Sequence, residues 1–318
     1  MIVRAPGSGL GAVDALPGVD GAAGLAEPAE SGLERFRLAH RALPGRDLDE
    51  VSLGTALLGA GLAAPLIVAA PHDLPSGAVR DLARAASEHG LGLVLGGEDD
   101  HAPTRPPLLL ASLGVRALRA PDGLEAAERL VSRLDADGLV VDLDELAAAL
   151  AGSDPARPAR ATAAIAAAAL AGSDRERPAR SAIEAVAATV ERLAPLPVVA
   201  RGGGFGLDAA DVRELRRAGV AAIDAGGAAG AWGVPTADAV AEAVLAAGPL
   251  PVIASGGLRD GVDAAKCLAL GAAAAAIDWP AHRAGDALAA LVRRLRIAVW
   301  ATGAPSAAAL SPGHLRST

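Results

Sequence analysis

The chain has 318 residues, with 29 Lys+Arg against 37 Asp+Glu for a formal net charge of −8. Two Phe, three Trp and no Tyr leave few rings for base stacking, and the acidic balance gives phosphate backbones little to hold, so no nucleic-acid partner is expected. One cysteine, Cys267, rules out an internal disulfide and a thiolate zinc centre, and no run of about 18 apolar residues offers an integral membrane segment.

Residues 1–33 are rich in Gly, Ala and Pro without a sustained period and read as a loosely ordered N-terminal arm. They contain no continuous apolar stretch of the kind a signal peptide carries, so the expected compartment is cytoplasmic. After Asp47 the pattern becomes regular. Apolar runs at Leu66–Ala70, Gly92–Leu95, Leu108–Ser112 and Leu139–Leu143 read as strands, followed by Val198–Arg201, Ala221–Asp224, Val252–Ala254 and Ala274–Asp278. Between most of them lie amphipathic segments of helical period, such as Ala78–His89, Ala209–Ala218, Thr236–Ala247 and Gly261–Leu270. Cys267 falls in the last of these and reads as a small buried hydrophobe. Eight strands alternating with helices predict α/β architecture, a single (β/α)₈ TIM barrel over 34–304 with a C-terminal tail at 305–318. An open doubly wound sheet is disfavoured because APHDLPSG, after the first strand, carries no glycine fingerprint. The segments ALAGSDPARPAR and ALAGSDRERPAR, 20 residues apart after the fourth strand, read as a tandem duplication in a loop. Two copies are too few for a solenoid.

Reacting groups of such barrels sit at the C-terminal ends of the strands. The fourth end holds Asp142, Asp144 and Glu145, the fifth Arg201, the seventh Ser255-Gly256-Gly257-Leu258-Arg259, and the eighth Asp278-Trp279. Asp142 and Asp144, two apart on a strand, point to one face. Two carboxyls in a dry cavity force one pKa upward, which leaves a neutral acid beside an ionised partner. Protonation of an alkene requires such an acid. The competing reading is a solvated, Asp-rich strand end.

LPVIASGGLRDGVDAAKCLALGA (250–272) resembles the phosphate-binding strand and helix of type 2 isopentenyl-diphosphate isomerases, which are flavin-dependent barrels. ALPGRDLDEVSLGTALLGAGLAAPLIV (42–68), Ala111-Ser112-Leu113-Gly114, GVAAIDAGGAAGAW (219–232) and LRIAVWATGA (295–304) follow in the family's order. The resemblance implies an enzyme of isoprenoid metabolism acting on a small-molecule isoprenoid. It also implies an FMN site drawn from Ser112, Arg201, Ser255, Gly256, Gly257 and Arg259.

The chain departs from the family pattern at several positions. Ser112 replaces the family's Asn and Arg201 its flavin-contacting Lys. Ala147 and Ala148 stand where the family has Gln and a magnesium-binding Glu, and Asp278 replaces a small residue beside the flavin phosphate. At ~4 Å and an effective dielectric of ~20, an ionised Asp would repel each phosphate charge by about 4 kcal/mol. The sequence therefore leads to the expectation of no resident cofactor, with FMN as the alternative and no Mg²⁺ at the family's site. The expected activity is protonation of a prenyl double bond, leading to isomerisation or terpene-type cyclisation. Asp142 or Asp144 would be the acid, with the other Asp and Glu145 tuning it. Asp142-Leu143-Asp144-Glu145 is also similar to the acid motif of class II terpene cyclases. A non-catalytic barrel that binds a partner, and an FMN-dependent isomerase or oxidoreductase, remain the alternatives, and a homo-oligomer stays open.

Overall fold

The computed structural model describes residues 31–71, 74–96, 104–143, 180–227, 233–279 and 286–318. Eight parallel strands close a barrel in chain order: β4 (Leu66–Ala69), β5 (Gly92–Gly96), β6 (Leu108–Gly114), β7 (Gly138–Asp142), β8 (Val198–Arg201), β9 (Ala222–Asp224), β10 (Val252–Ala254) and β11 (Ala274–Asp278). The closing pair sets Asp278 opposite Ala69. Helix α1 (Ser76–Glu88) follows β4, α2 (Val115–Leu118) and α3 (Gly123–Leu134) follow β6, and α4 (Ala182–Leu193), α5 (Ala209–Arg217), α6 (Thr236–Ala247), α7 (Gly261–Ala269) and α8 (Asp286–Ala301) follow β7 to β11 one each. The expected (β/α)₈ barrel is therefore the observed one.

Strand alternation divides the core in two. One set of side chains faces outward, among them Val68, Leu93, Leu109, Val141 and Ile223, and packs with helix residues such as Cys267 of α7. The other set fills the barrel: Ile67, Val94, Leu108, Leu110, Val140, Val199, Ala222, Ile253, Ala274 and Ala276. Aliphatic and small residues suffice here because inward-facing side chains meet in layers, and a chain nearly free of aromatics can fill them. A hairpin of β2 (Thr55–Leu57) and β3 (Ala60–Leu62) adds Leu57 and Leu62 to the interior set. These join Leu108, Ala222 and Ala274, which lie at the strands' first residues, so the hairpin plugs the bottom of the barrel. Leu58 (φ 50) and Gly59 (φ 86) make its two-residue turn, with the left-handed backbone such hairpins need.

Residues at the two ends of the described fold meet. β1 (Phe36–Leu38) pairs antiparallel with β12 (Leu315–Ser317), setting Arg37 opposite Arg316. Ser52 bridges to Ser306, and Leu310 and Leu315 are buried, so residues 305–318 pack onto the barrel body. Leu33 is fully buried, and its carbonyl accepts a hydrogen bond from the Lys266 ammonium at 2.9 Å. The tandem duplication lies outside the described residues, apart from its final Arg180.

Candidate active site

Continuing the inward alternation by one more step defines the top layer of the barrel. Above Leu110, Val140, Val199, Ala222, Ile253 and Ala276 come Ser112, Asp142, Arg201, Asp224, Ser255 and Asp278, one from each of six successive strands. The register keeps Asp142, Arg201 and Asp224 side by side, since Asp142 pairs with Arg201 and Arg201 with Asp224. An aliphatic interior thus ends in a ring of hydroxyls, carboxyls and one guanidinium at the catalytic face.

Five of the six form a continuous belt. The Ser112 hydroxyl donates to Asp142 Oδ2 at 2.5 Å. Arg201 Nη1 lies 3.3 Å from Asp142 Oδ1, and Arg201 Nε donates to Asp224 Oδ2 at 2.8 Å. The Ser255 hydroxyl donates to Asp224 Oδ1. These side chains are secluded, with Arg201 17%, Asp142 15% and Asp224 2% exposed. Burial works against the Arg201 charge, but Asp142 and then Asp224 outweigh it, so its pKa is raised. Burial pushes the Asp224 carboxyl above its ordinary range, opposed by the Arg201 guanidinium and the Ser255 hydroxyl.

Asp278 stands apart from the belt. Its side chain is open to water at the end of β11, yet protein hems it in, as for a group on the floor of a concave mouth. Burial raises its pKa. Arg201 opposes the shift, while Asp224 and Asp142 add to it.

Beyond Ser255 the chain turns through Gly256 and Gly257 into α7. Gly256 has φ +88, and a Cβ there would lie 2.0 Å from the Gly227 carbonyl oxygen, so only glycine fits. Among the described residues, none accepts a hydrogen bond from the N–H of Gly256, Gly257 or Leu258. Open N–H groups before a helix N-terminus suit a phosphate. Arg259, next in the chain after Leu258, is held by Asp263 at 2.8 Å and is 56% exposed.

The structure therefore gathers Asp142, Ser112, Arg201 and Ser255 into one layer and sets Gly256, Gly257 and Arg259 in a neighbouring turn. Asp144 and Glu145 lie outside the described residues, as do Ala147 and Ala148. Trp279, beside Asp278 at the eighth strand end, belongs to the helix-facing core. Asp224 and Asp278 carry more of the site than the sequence reading gave them. Counting inward-facing positions along each strand finds both.

No family model matches the chain. Curated relatives match along nearly its whole length. The isopentenyl-diphosphate delta-isomerase of Xanthobacter autotrophicus is 34% identical over 90% of this chain and 91% of its own. That of Stutzerimonas stutzeri is 33% identical over 90% of each. That of Methanothermobacter thermautotrophicus is 30% identical over 79% of this chain and 74% of its own. The chain belongs to the type 2 isopentenyl-diphosphate isomerase family. Solved structures add the fold of FMN-bearing barrels. A mandelate oxidase with an FMN adduct superposes with a TM-score of 0.68 and 24% identity, over 92% of each chain. The (S)-mandelate dehydrogenase of Pseudomonas putida gives 0.65 and 19%, over 91% of this chain and 90% of its own.

These comparisons correct the expectation of an isomerase-like barrel without a cofactor; they point to FMN, with Mg²⁺. The repulsion argument failed because it treated Asp278 as a full negative charge facing the phosphate. Instead the carboxyl looks toward Arg201, Asp224 and Asp142, and burial favours its neutral form. The argument from Ala148 failed because Mg²⁺ is commonly held by one or two carboxylates together with the substrate's own phosphate oxygens. Among the described residues no cluster of three metal-ligating side chains forms by itself. For FMN the residues fit. The Ser255–Gly257 turn and Arg259 would hold the phosphate, and Arg201 in the ring would face the isoalloxazine. Bound there, FMN supplies a planar ring able to exchange protons and electrons.

Proposed function

We propose that this family member interconverts isopentenyl diphosphate and its allylic isomer by adding a proton at one end of a double bond and removing one next to it. The observation that carries the reading is the polar layer of Ser112, Asp142, Arg201, Asp224, Ser255 and Asp278 closing an otherwise aliphatic barrel, in a chain whose relatives bear that activity. Three carboxyls share one guanidinium among the described residues of the layer. If all three ionised, the layer would hold two uncompensated negative charges, and such crowding keeps a proton on one of them. Asp142, expected as an acid together with Asp144, enters this reading as one carboxyl of the layer. The Ser255–Gly257 turn and Arg259 hold phosphate, and the apolar barrel floor excludes water from the hydrocarbon. Nothing in the described structure favours cyclisation, since Asp144 and Glu145 of the cyclase-like motif lie outside it.

The test is incubation with isopentenyl diphosphate in D₂O, with Mg²⁺ and with FMN in each redox state, read by NMR. Formation of the allylic isomer with deuterium incorporation is expected. No isomer and no deuterium uptake in either redox state overturns the reading.

A further inference from the structure

We propose that Thr236 is a positioning residue for the flavin phosphate: its hydroxyl pins the Gly256 carbonyl and thereby aims the next N–H, that of Gly257, at the ligand. This role rests on the placement of FMN at the Ser255–Gly257 turn and extends it to the residue that keeps the turn in shape.

Thr236 is the first residue of α6 and is fully buried. Threonines at helix starts commonly cap their own helix, yet here the N-cap position is Pro235 and no side chain caps α6. The Thr236 hydroxyl instead leaves its element and donates to the Gly256 carbonyl at 2.6 Å. Gly227, just past β9, touches both partners. A Cβ on Gly256 would lie 2.0 Å from the Gly227 carbonyl oxygen, and one on Gly227 would lie 2.6 Å from Thr236 Cα. Two glycines thus bring three backbone segments close enough for a short hydroxyl side chain to span them. The Gly227 N–H donates to the Ser255 carbonyl at 3.1 Å, which fixes the chain just before the turn. The start of α6 is anchored as well, since the Ala237 N–H donates to the Ser31 carbonyl at 2.9 Å.

The peptide joining Gly256 to Gly257 is trans, so its C=O and N–H point in opposite directions. With the carbonyl held by Thr236, the Gly257 N–H is turned away from α6. Gly257 is exposed, so a ligand reaches that N–H. Both glycines take positive φ, +88 and +67, a path that leaves their shared peptide unusually free to rotate. A pin is therefore needed. Without the Thr236 hydroxyl, the Gly256 carbonyl faces a buried methyl, and the cost of that unmet acceptor drives the peptide to rotate and withdraw the N–H.

The test is flavin binding by the full chain, read as fluorescence quenching, with FMN and with riboflavin, the same flavin without its phosphate. Thr236→Val keeps the shape and removes the hydroxyl, and Thr236→Ser keeps the hydroxyl. Thr189→Val is the control, because Thr189 is equally buried and donates to the Ala185 carbonyl at 2.8 Å within α4. Thr236→Val should bind FMN about 10–100-fold more weakly, the span of one hydrogen bond to a charged group, with little change for riboflavin. Thr236→Ser should recover most of the affinity. Thr189→Val should lose thermal stability as Thr236→Val does, yet bind FMN as the wild type does. FMN affinity of Thr236→Val within a few-fold of wild type overturns the role. So does a loss shared equally by riboflavin or reproduced by Thr189→Val, since either marks general damage to the fold. A wild type that binds no FMN overturns the placement of the phosphate, and the role with it. The readout needs no turnover, so a wild type that binds FMN but forms no isomer overturns the isomerase reading alone.

Discussion

Replacing Arg201 with Met removes the only guanidinium among the described residues of the mouth layer while keeping most of the side-chain volume. Asp142 and Asp224 then lose their shared partner in a setting where all three side chains are at most 17% exposed. Removing one member of a buried ion pair costs about 3–5 kcal/mol, because it strands the remaining charge. At about 2–4 °C per kcal/mol for a domain of this size, the melting temperature should drop by on the order of 10 °C near neutral pH. The pH dependence gives the sharper check. Asp224 has its pKa raised above its ordinary 3.8 in the folded chain, so the native state binds that proton more tightly than the unfolded state. Its contribution is therefore greatest at low pH and is lost as pH rises from about 3.8 through the raised folded value. Without Arg201 that value climbs further, so the loss continues to higher pH. Thermal melts at about pH 4 and about pH 8 should show a small deficit at the first and the full deficit at the second. An Arg201→Met protein as stable as wild type at the higher pH, or equally impaired at both, would refute the electrostatic account of the belt. Adding Asp142→Asn and Asp224→Asn to the variant should restore much of the stability.

Titration with FMN, followed by quenching of flavin fluorescence, should show saturable binding, and Gly256→Ala should weaken it at least tenfold, because the new methyl meets the Gly227 carbonyl. Unchanged affinity would move the phosphate away from this turn. Leu110→Ala, inside the barrel and fully buried, should cost about 2–5 kcal/mol in denaturant melts. Asp208 accepts from the N–H groups of Ala210 and Asp211 at the start of α5, so Asp208→Ala should cost about 1 kcal/mol in the same assay, with catalysis untouched.

The eight barrel strands were legible because each is a mainly apolar run, and even the three-residue strand Val252–Ala254, fully buried, stands out between Pro251 and the Ser255–Gly257 turn. The pairing of β1 with β12 was not legible. Three residues such as Phe36–Leu38 carry no period, and their partner lies at the far end of the chain. At the site, Asp142 was found by its spacing from Asp144, whereas Arg201, read from the resemblance as an FMN-site residue, pairs with both Asp142 and Asp224. The hydroxyls of Ser112 and Ser255 were assigned to a cofactor because a sequence does not show which carboxylate a serine meets. Asp278 was misjudged for the same kind of reason. A residue's charge depends on what surrounds it, and three of its charged neighbours come from other strands.

The β1–β12 ribbon also bears on how the chain is made. Barrel strands can pair with the strand synthesised just before them, with only β4 and β11 joining across the sequence. Phe36–Leu38, by contrast, leaves the ribosome long before Leu315–Ser317 and spends that interval as an unpaired edge. Its middle residue is an exposed arginine, and so is the middle residue of its eventual partner. Arg37 and Arg316 sit opposite one another, a pairing that weakens the finished ribbon slightly. The same charges discourage either segment from annealing to a neighbouring nascent chain, so a little final stability is exchanged for safe passage through synthesis.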